Sequence, residues 1–101
     1  MVKLTVLYGH PTDAAAFDQH YAEIHVPLVD KLPDLVRFEQ AKVVGSLTGD
    51  KPDYYLIAEL YYDSMEKLQA SMGSAEGRAT VGDVPTFATG GATGFIAEVK
   101  E

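Results

Sequence analysis

Tyr21 and His25 are the residues in this sequence best suited to chemistry. They lie four apart within FDQHYAEIHVPLVDKLP, residues 17–33. In that stretch Phe17, Tyr21, Ile24, Leu28 and Leu32 recur at spacings of four, three, four and four, the one-face pattern of an amphipathic helix. Side chains four apart stand over one another, so the Tyr21 ring and the His25 imidazole stack on that face or at its edge. Pro27 has no N–H to offer the Glu23 carbonyl, so the helix kinks or loosens there. A His and a Tyr beside a loosened turn can line a cavity, and a His can move a proton without a cofactor. A buried His with a satisfied hydrogen bond fits the spacing equally. The cavity expected between this helix and the sheet has His25 and Tyr21 as polar groups, with Tyr8, Phe17 and Leu28 as ligand-contacting neighbours.

Other groups point to chemistry less well. His10 falls in a turn. His20 lies beside the apolar stripe and reads as partly solvated. His20 and His25 are five apart, off the four-residue spacing of paired helical metal ligands, and no metal site is expected. Without cysteine there is no thiolate, disulfide or sulfur-ligated zinc. No serine sits in a G-x-S-x-G setting. GGATG at 90–94 has the character of a turn rather than a phosphate loop. Glu59 sits mid-strand on a mostly apolar face. It is either a buried acid–base group or one half of an ion pair or hydrogen bond, including one across a dimer. Nothing in the sequence asks for a cofactor.

The positioning elements can be read in turn. Val2–Gly9 is a strand, apolar on both faces. Thr12 or Asp13 caps the helix, which runs to about Leu32 and stops at Pro33-Asp34. Residues 35–47 are β-rich with mixed faces, 49–53 form a turn, and Tyr54–Tyr62 is the clearest strand, largely apolar on both faces and in a hairpin with the one before. Asp63 and Glu66 resemble a capping box for a short helix ending at Gly73. One more helical turn lies in 74–83, a loop follows from Val84 to Gly91, and the last strand carries Phe95, Ala97 and Val99. The order βαββαβ in an α+β domain predicts a ferredoxin-like sandwich over residues 1–101, with a four-stranded antiparallel sheet and two helices on one face. The other face of the third strand would be left as an exposed apolar patch, which a twofold homodimer through the sheet faces would cover.

A chain of 101 residues is long enough for one core. A net charge of −7 with only two arginines excludes a phosphate-tracking surface, so neither nucleic acid nor membrane is expected as a partner. The opening MVKLTVLYG is a strand pattern rather than a signal peptide, and a cytoplasmic location is the expectation.

Four segments carry a family likeness: FDQHYAEIHVPL at 17–28, LPDLVRFE at 32–39, AELYYDSMEKL at 58–68 and DVPTFATGG at 83–91. On these the chain resembles the EthD family, a branch of the dimeric α+β barrel proteins, with Y-x-x-x-H-x-P-L as the most specific element. Asp34 departs from the glycine that many relatives carry after the proline. The resemblance implies a ferredoxin-like fold and a homodimer whose sheets pack into a barrel. It places the family's His at His25 and its Tyr at Tyr21. The family is named for a protein of bacterial ether degradation. Fungal relatives resemble decarboxylases or dehydratases of aromatic polyketides, and other barrel families include cofactor-free monooxygenases, cyclases and lactone isomerases. Two functions follow as expectations. One is a cofactor-independent enzyme on a small hydrophobic, aromatic or lactone-like molecule, with His25 as the acid or base. The other is a non-catalytic dimer that binds such a molecule or supports an oxygenase pathway.

Overall fold

The computed structural model describes residues 1–100. Strands β1 (Val2–Gly9), β2 (Arg37–Lys42), β3 (Tyr54–Tyr62) and β4 (Ala92–Glu98) form one antiparallel sheet in the order β2-β3-β1-β4. Between β1 and β2 run α1 (Ala14–His20), a π-helical turn (Tyr21–His25) and α2 (Val26–Val29). Between β3 and β4 run α3 (Met65–Gly73) and α4 (Ala75–Phe87). This is the ferredoxin-like α+β sandwich. No helix among the described residues is long and apolar enough to cross a membrane.

The alternation of the strands assigns the faces. Leu4 pairs with Leu60, Val6 with Ala58 and Tyr8 with Leu56, and these side chains meet Phe17, Tyr21, Val29, Leu68 and Phe87 of the helical layer in the core. The opposite face carries Lys3, Thr5, Glu59 and Tyr61. It is less apolar than the sequence of β3 suggests, because Ile57 and Phe95 are interspersed with paired charges. Glu59 takes an ion pair from Lys3 at 2.6 Å and a hydrogen bond from Thr5 at 3.3 Å, both within its own chain. Tyr61 donates to Glu39 at 2.9 Å.

Several boundaries differ from the sequence reading. The first helical arm ends at Val29 rather than near Leu32. β2 ends at Lys42, opposite Leu56, just before the irregular Tyr54–Tyr55 end of β3. Val43 still donates to the Tyr55 carbonyl, but Val44 and Leu47 lie outside the ladder and stand in solvent. A register shift at Tyr8/Gly9 leaves Tyr55 in a bulge, and its ring turns to the helix side, packing on Phe17 at 5.2 Å with its hydroxyl donating to Asp18. Ser64, not Asp63, caps α3 by accepting from Lys67. The largest difference is α4. It runs unbroken through Pro85 to Phe87, where one turn and a loop were expected. Gly77 and Pro85 both speak against a helix locally, yet Gly77 is what lets α4 start so close to α3. A β-carbon there would strike the carbonyls of Ser71 and Met72.

Asp34 adopts φ of 62°, the left-handed region that disfavours a side chain. Asp tolerates it better than Ala. Asp34→Ala is therefore expected to lose about 1 kcal/mol in urea unfolding, while Asp34→Gly stays near wild type.

Candidate active site

The π turn determines what faces the core. In an α-helix each four-residue step drifts about 40° around the axis, so a strict four-residue repeat winds off one face. The wider π turn reverses that drift, with Val26 donating back to the Tyr21 carbonyl. Phe17, Tyr21, His25 and Val29 consequently share the buried stripe, and Leu32 follows in the next turn. Ile24, expected on the stripe, is 48% exposed. The loosening expected from Pro27 is this turn, which ends at His25, two residues before the proline.

Tyr21 and His25 stack, with ring centroids 5.5 Å apart and planes at 30°. His25 is buried, at 4% exposure. Its Nδ1 lies 3.0 Å from Oδ2 of Asp83 on α4. The same carboxylate receives His20 Nε2 at 2.9 Å on Oδ1 and at 3.0 Å on Oδ2, with the Thr86 hydroxyl 3.0 Å from Oδ1. Two histidines five apart thus meet one carboxylate. Five apart is off the four-residue spacing that brings α-helical side chains together, and the π turn between them is what lets both reach it.

Burial alone would raise the Asp83 carboxyl, but the bonds from His20, His25 and Thr86 outweigh it and hold the group below its ordinary range. An ionised carboxylate only accepts, so both imidazoles present an N–H to it. His25 is therefore the Nδ1–H tautomer. Its Nε2 makes no hydrogen bond among the described residues. Burial lowers the His25 pKa, and the Asp83 bond only partly offsets it. At neutral pH this is accordingly a neutral imidazole donating to a carboxylate rather than an ion pair.

Linkage gives the sign. A His with its folded value below the ordinary 6.5 must be charged at a cost, so stability falls as pH drops from about 6.5 toward the folded value. Asp83, held low, adds a further loss below its ordinary 3.8. Asp83→Asn removes the charge that supports the imidazolium, and the His25 midpoint is expected to fall further, as read by ring-proton NMR titration.

His25, Tyr21 and Tyr8 line a common cavity of about 60 Å³ between the helices and the sheet, closed by Leu4, Val6, Leu60 and Met72 among others. Thr80 also lines it, but its hydroxyl is bonded to the Glu76 carbonyl. Burial pushes both phenols, Tyr8 and Tyr21, well above their ordinary value, so they stay protonated. Phe87 backs the site, with its ring centroid 4.8 Å from His25, 5.1 Å from His20 and 5.5 Å from Tyr8.

Two expected ligand contacts lie elsewhere. Phe17 stacks behind Tyr21 at 5.8 Å and borders a separate hollow of about 270 Å³ with His20 and Thr86. Leu28, rotated off the stripe by the π turn, borders another of about 320 Å³ with Lys31 and Glu76. His10 lies in the irregular segment just after β1, its Nε2 2.7 Å from the Pro52 carbonyl. Among the described residues no group of three or more His, Cys, Asp and Glu side chains is placed to hold a metal ion. Asp83 is the residue that sequence reasoning missed. The signal available for it was its place at the head of the DVPTFATGG segment.

Comparison with known proteins places this geometry in context. The model of the EthD domain matches residues 9–91. An uncharacterised 11.0 kDa protein of the thcB-thcC intergenic region of Rhodococcus erythropolis is 43% identical over 93 residues, covering 92% of this chain and 89% of that protein. The crystal structure of an ethyl tert-butyl ether degradation (EthD) family protein from Bacillus halodurans superposes with a TM-score of 0.92 at 42% identity, covering 99% of each chain. A dimeric ferredoxin-like protein of unknown function from Thermobifida fusca shares the fold at a TM-score of 0.72 and 12% identity, covering 97% of this chain and 90% of that one. The chain belongs to the EthD family.

Proposed function

We propose that this protein is a cofactor-independent enzyme that moves a proton on a small hydrophobic molecule. The observation that carries this reading is the His25–Asp83 pair, with Nδ1–H held by the carboxylate at 3.0 Å and Nε2 unbonded in a residue that lines an apolar cavity. Asp83 fixes the tautomer and stabilises the imidazolium that forms when Nε2 takes a proton. Burial keeps His25 neutral and therefore competent as a base near pH 7. Tyr21, stacked on the imidazole, orients the ring or the substrate.

The test is deuterium incorporation from D2O into a panel of small aromatic, ketone and lactone compounds, followed by NMR. Loss of a general base typically costs about 100-fold or more, and His25→Ala is expected to show at least that loss on any compound that exchanges. Unchanged exchange in the variant contradicts the proposal. The cavity, at about 60 Å³, is far smaller than the usual ligand site of roughly 300 Å³ or more, which restricts either a substrate or a merely bound ligand to a small molecule. The second reading is a non-catalytic dimer that binds such a molecule. Absence of exchange across the panel, with binding retained, would support that reading instead.

The proposed assembly is a homodimer through the open sheet face, where Leu7, Ile57 and Phe95 are the large aliphatic and phenyl side chains. The dimeric relative from Thermobifida fusca supports it. Sedimentation is expected to give twice the 10.9 kDa chain mass. The acidic, cysteine-free composition fits a cytoplasmic setting.

A further inference from the structure

Tyr21 is 4% exposed, and no group among the described residues bonds its hydroxyl, which is fully buried. Buried phenols ordinarily find a partner. Here the hydroxyl belongs to a residue that lines the cavity, one turn from His25, and it stays protonated, so it is a donor. Tyr8, its ring centroid 5.9 Å away, is a second phenol whose hydroxyl makes no hydrogen bond among the described residues. No Lys or Arg lines the cavity, and Asp83 lies just behind His25. An anionic ligand would meet no compensating cation there and a carboxylate nearby, which makes its desolvation costly.

We infer that the cavity takes a small neutral molecule with a carbonyl oxygen, the Tyr21 hydroxyl donating to that oxygen while His25 Nε2 faces an adjacent C–H. The second half of this assignment rests on the proton-transfer reading above. The step balances without a co-reactant. The Nε2 lone pair takes the proton from the carbon next to the carbonyl. The C–H electron pair becomes a C=C bond, and the carbonyl π pair moves to oxygen. The resulting enolate oxygen accepts from Tyr21, an interaction that strengthens as charge develops there. Return of the proton from Nε2 to carbon regenerates the base.

The test uses three probes built on one five-membered ring, cyclopentanone, its isostere methylenecyclopentane and the larger anion cyclopentanecarboxylate, titrated into the protein and followed by NMR at the His25 and Tyr21 rings. A single neutral hydrogen bond predicts that the ketone binds about five- to ten-fold more tightly than the hydrocarbon. The carboxylate is expected to bind more weakly than either. Tyr21→Phe keeps the ring and should erase the ketone preference while leaving hydrocarbon affinity unchanged, with core resonances confirming the fold. Equal affinity of ketone and hydrocarbon in wild type, tighter binding of the carboxylate, no binding of any probe, or a preference that survives Tyr21→Phe would each overturn the assignment. Deuterium exchange of the ketone separates the two claims. A Tyr21-dependent preference without exchange leaves the ligand class standing and removes the proton-transfer reading. Exchange that depends on His25 but not on Tyr21 keeps the proton-transfer reading and a carbonyl ligand but overturns the Tyr21 hydrogen bond.

Discussion

Asp83→Ala is expected to destabilise the protein by about 3 kcal/mol in urea unfolding. The side chain accepts from His20, His25 and Thr86, and its own exposure is 12%. Truncation leaves the His25 Nδ1–H buried without a partner, a loss of about 1–3 kcal/mol by itself. His20 can turn to solvent, since a quarter of its side chain is already exposed. The expected order is therefore Asp83→Ala worse than His20→Ala, with His20→Ala costing about 1 kcal/mol. A loss under about 1 kcal/mol for Asp83→Ala would mean that the carboxylate does not hold His25.

Phe87→Ala is expected to cost about 4 kcal/mol, within the range for buried Phe truncations. Phe87 is 5% exposed, and its ring lies between 4.8 and 5.8 Å from those of Tyr8, Phe17, His20, Tyr21 and His25. Five rings packed on one leave little freedom to collapse into the space vacated. The last turn of α4 carries Phe87, so its loss should also loosen Asp83, one turn earlier. Phe87→Leu, which retains more of the buried volume, is expected to cost less than half as much. Equal losses for the two would show that volume is not what Phe87 supplies.

The order of elements was legible because it rests on long-range patterns. The alternation in Val2–Gly9 and Tyr54–Tyr62 and the βαββαβ order lead to the observed sheet. The Asp13 cap, which accepts from Ala16, and the Tyr21–His25 stack were legible because each is local. What stayed hidden depended on tertiary contact. The π turn buries a strict four-residue repeat, which the 3.6-residue template does not select, so Ile24 and Leu28 took places that belong to His25 and Val29. Gly77 and Pro85 argue against a helix on propensity alone. Only the close approach of α3 and α4 shows why Gly77 is needed and Asp83 is brought to the histidines. Val43, Val44 and Leu47 have strand composition, but the ladder stops at Lys42, next to the irregularity at Tyr54–Tyr55.

The most direct measurement is ring-nitrogen NMR of His25 at neutral pH. The expected result is a neutral imidazole with the proton on Nδ1, bonded to Asp83, and a free lone pair on Nε2, and in Asp83→Asn a midpoint below that of wild type. A proton resident on Nε2, or a His25 cation persisting at pH 7, would contradict it, because no base would then be available to the cavity.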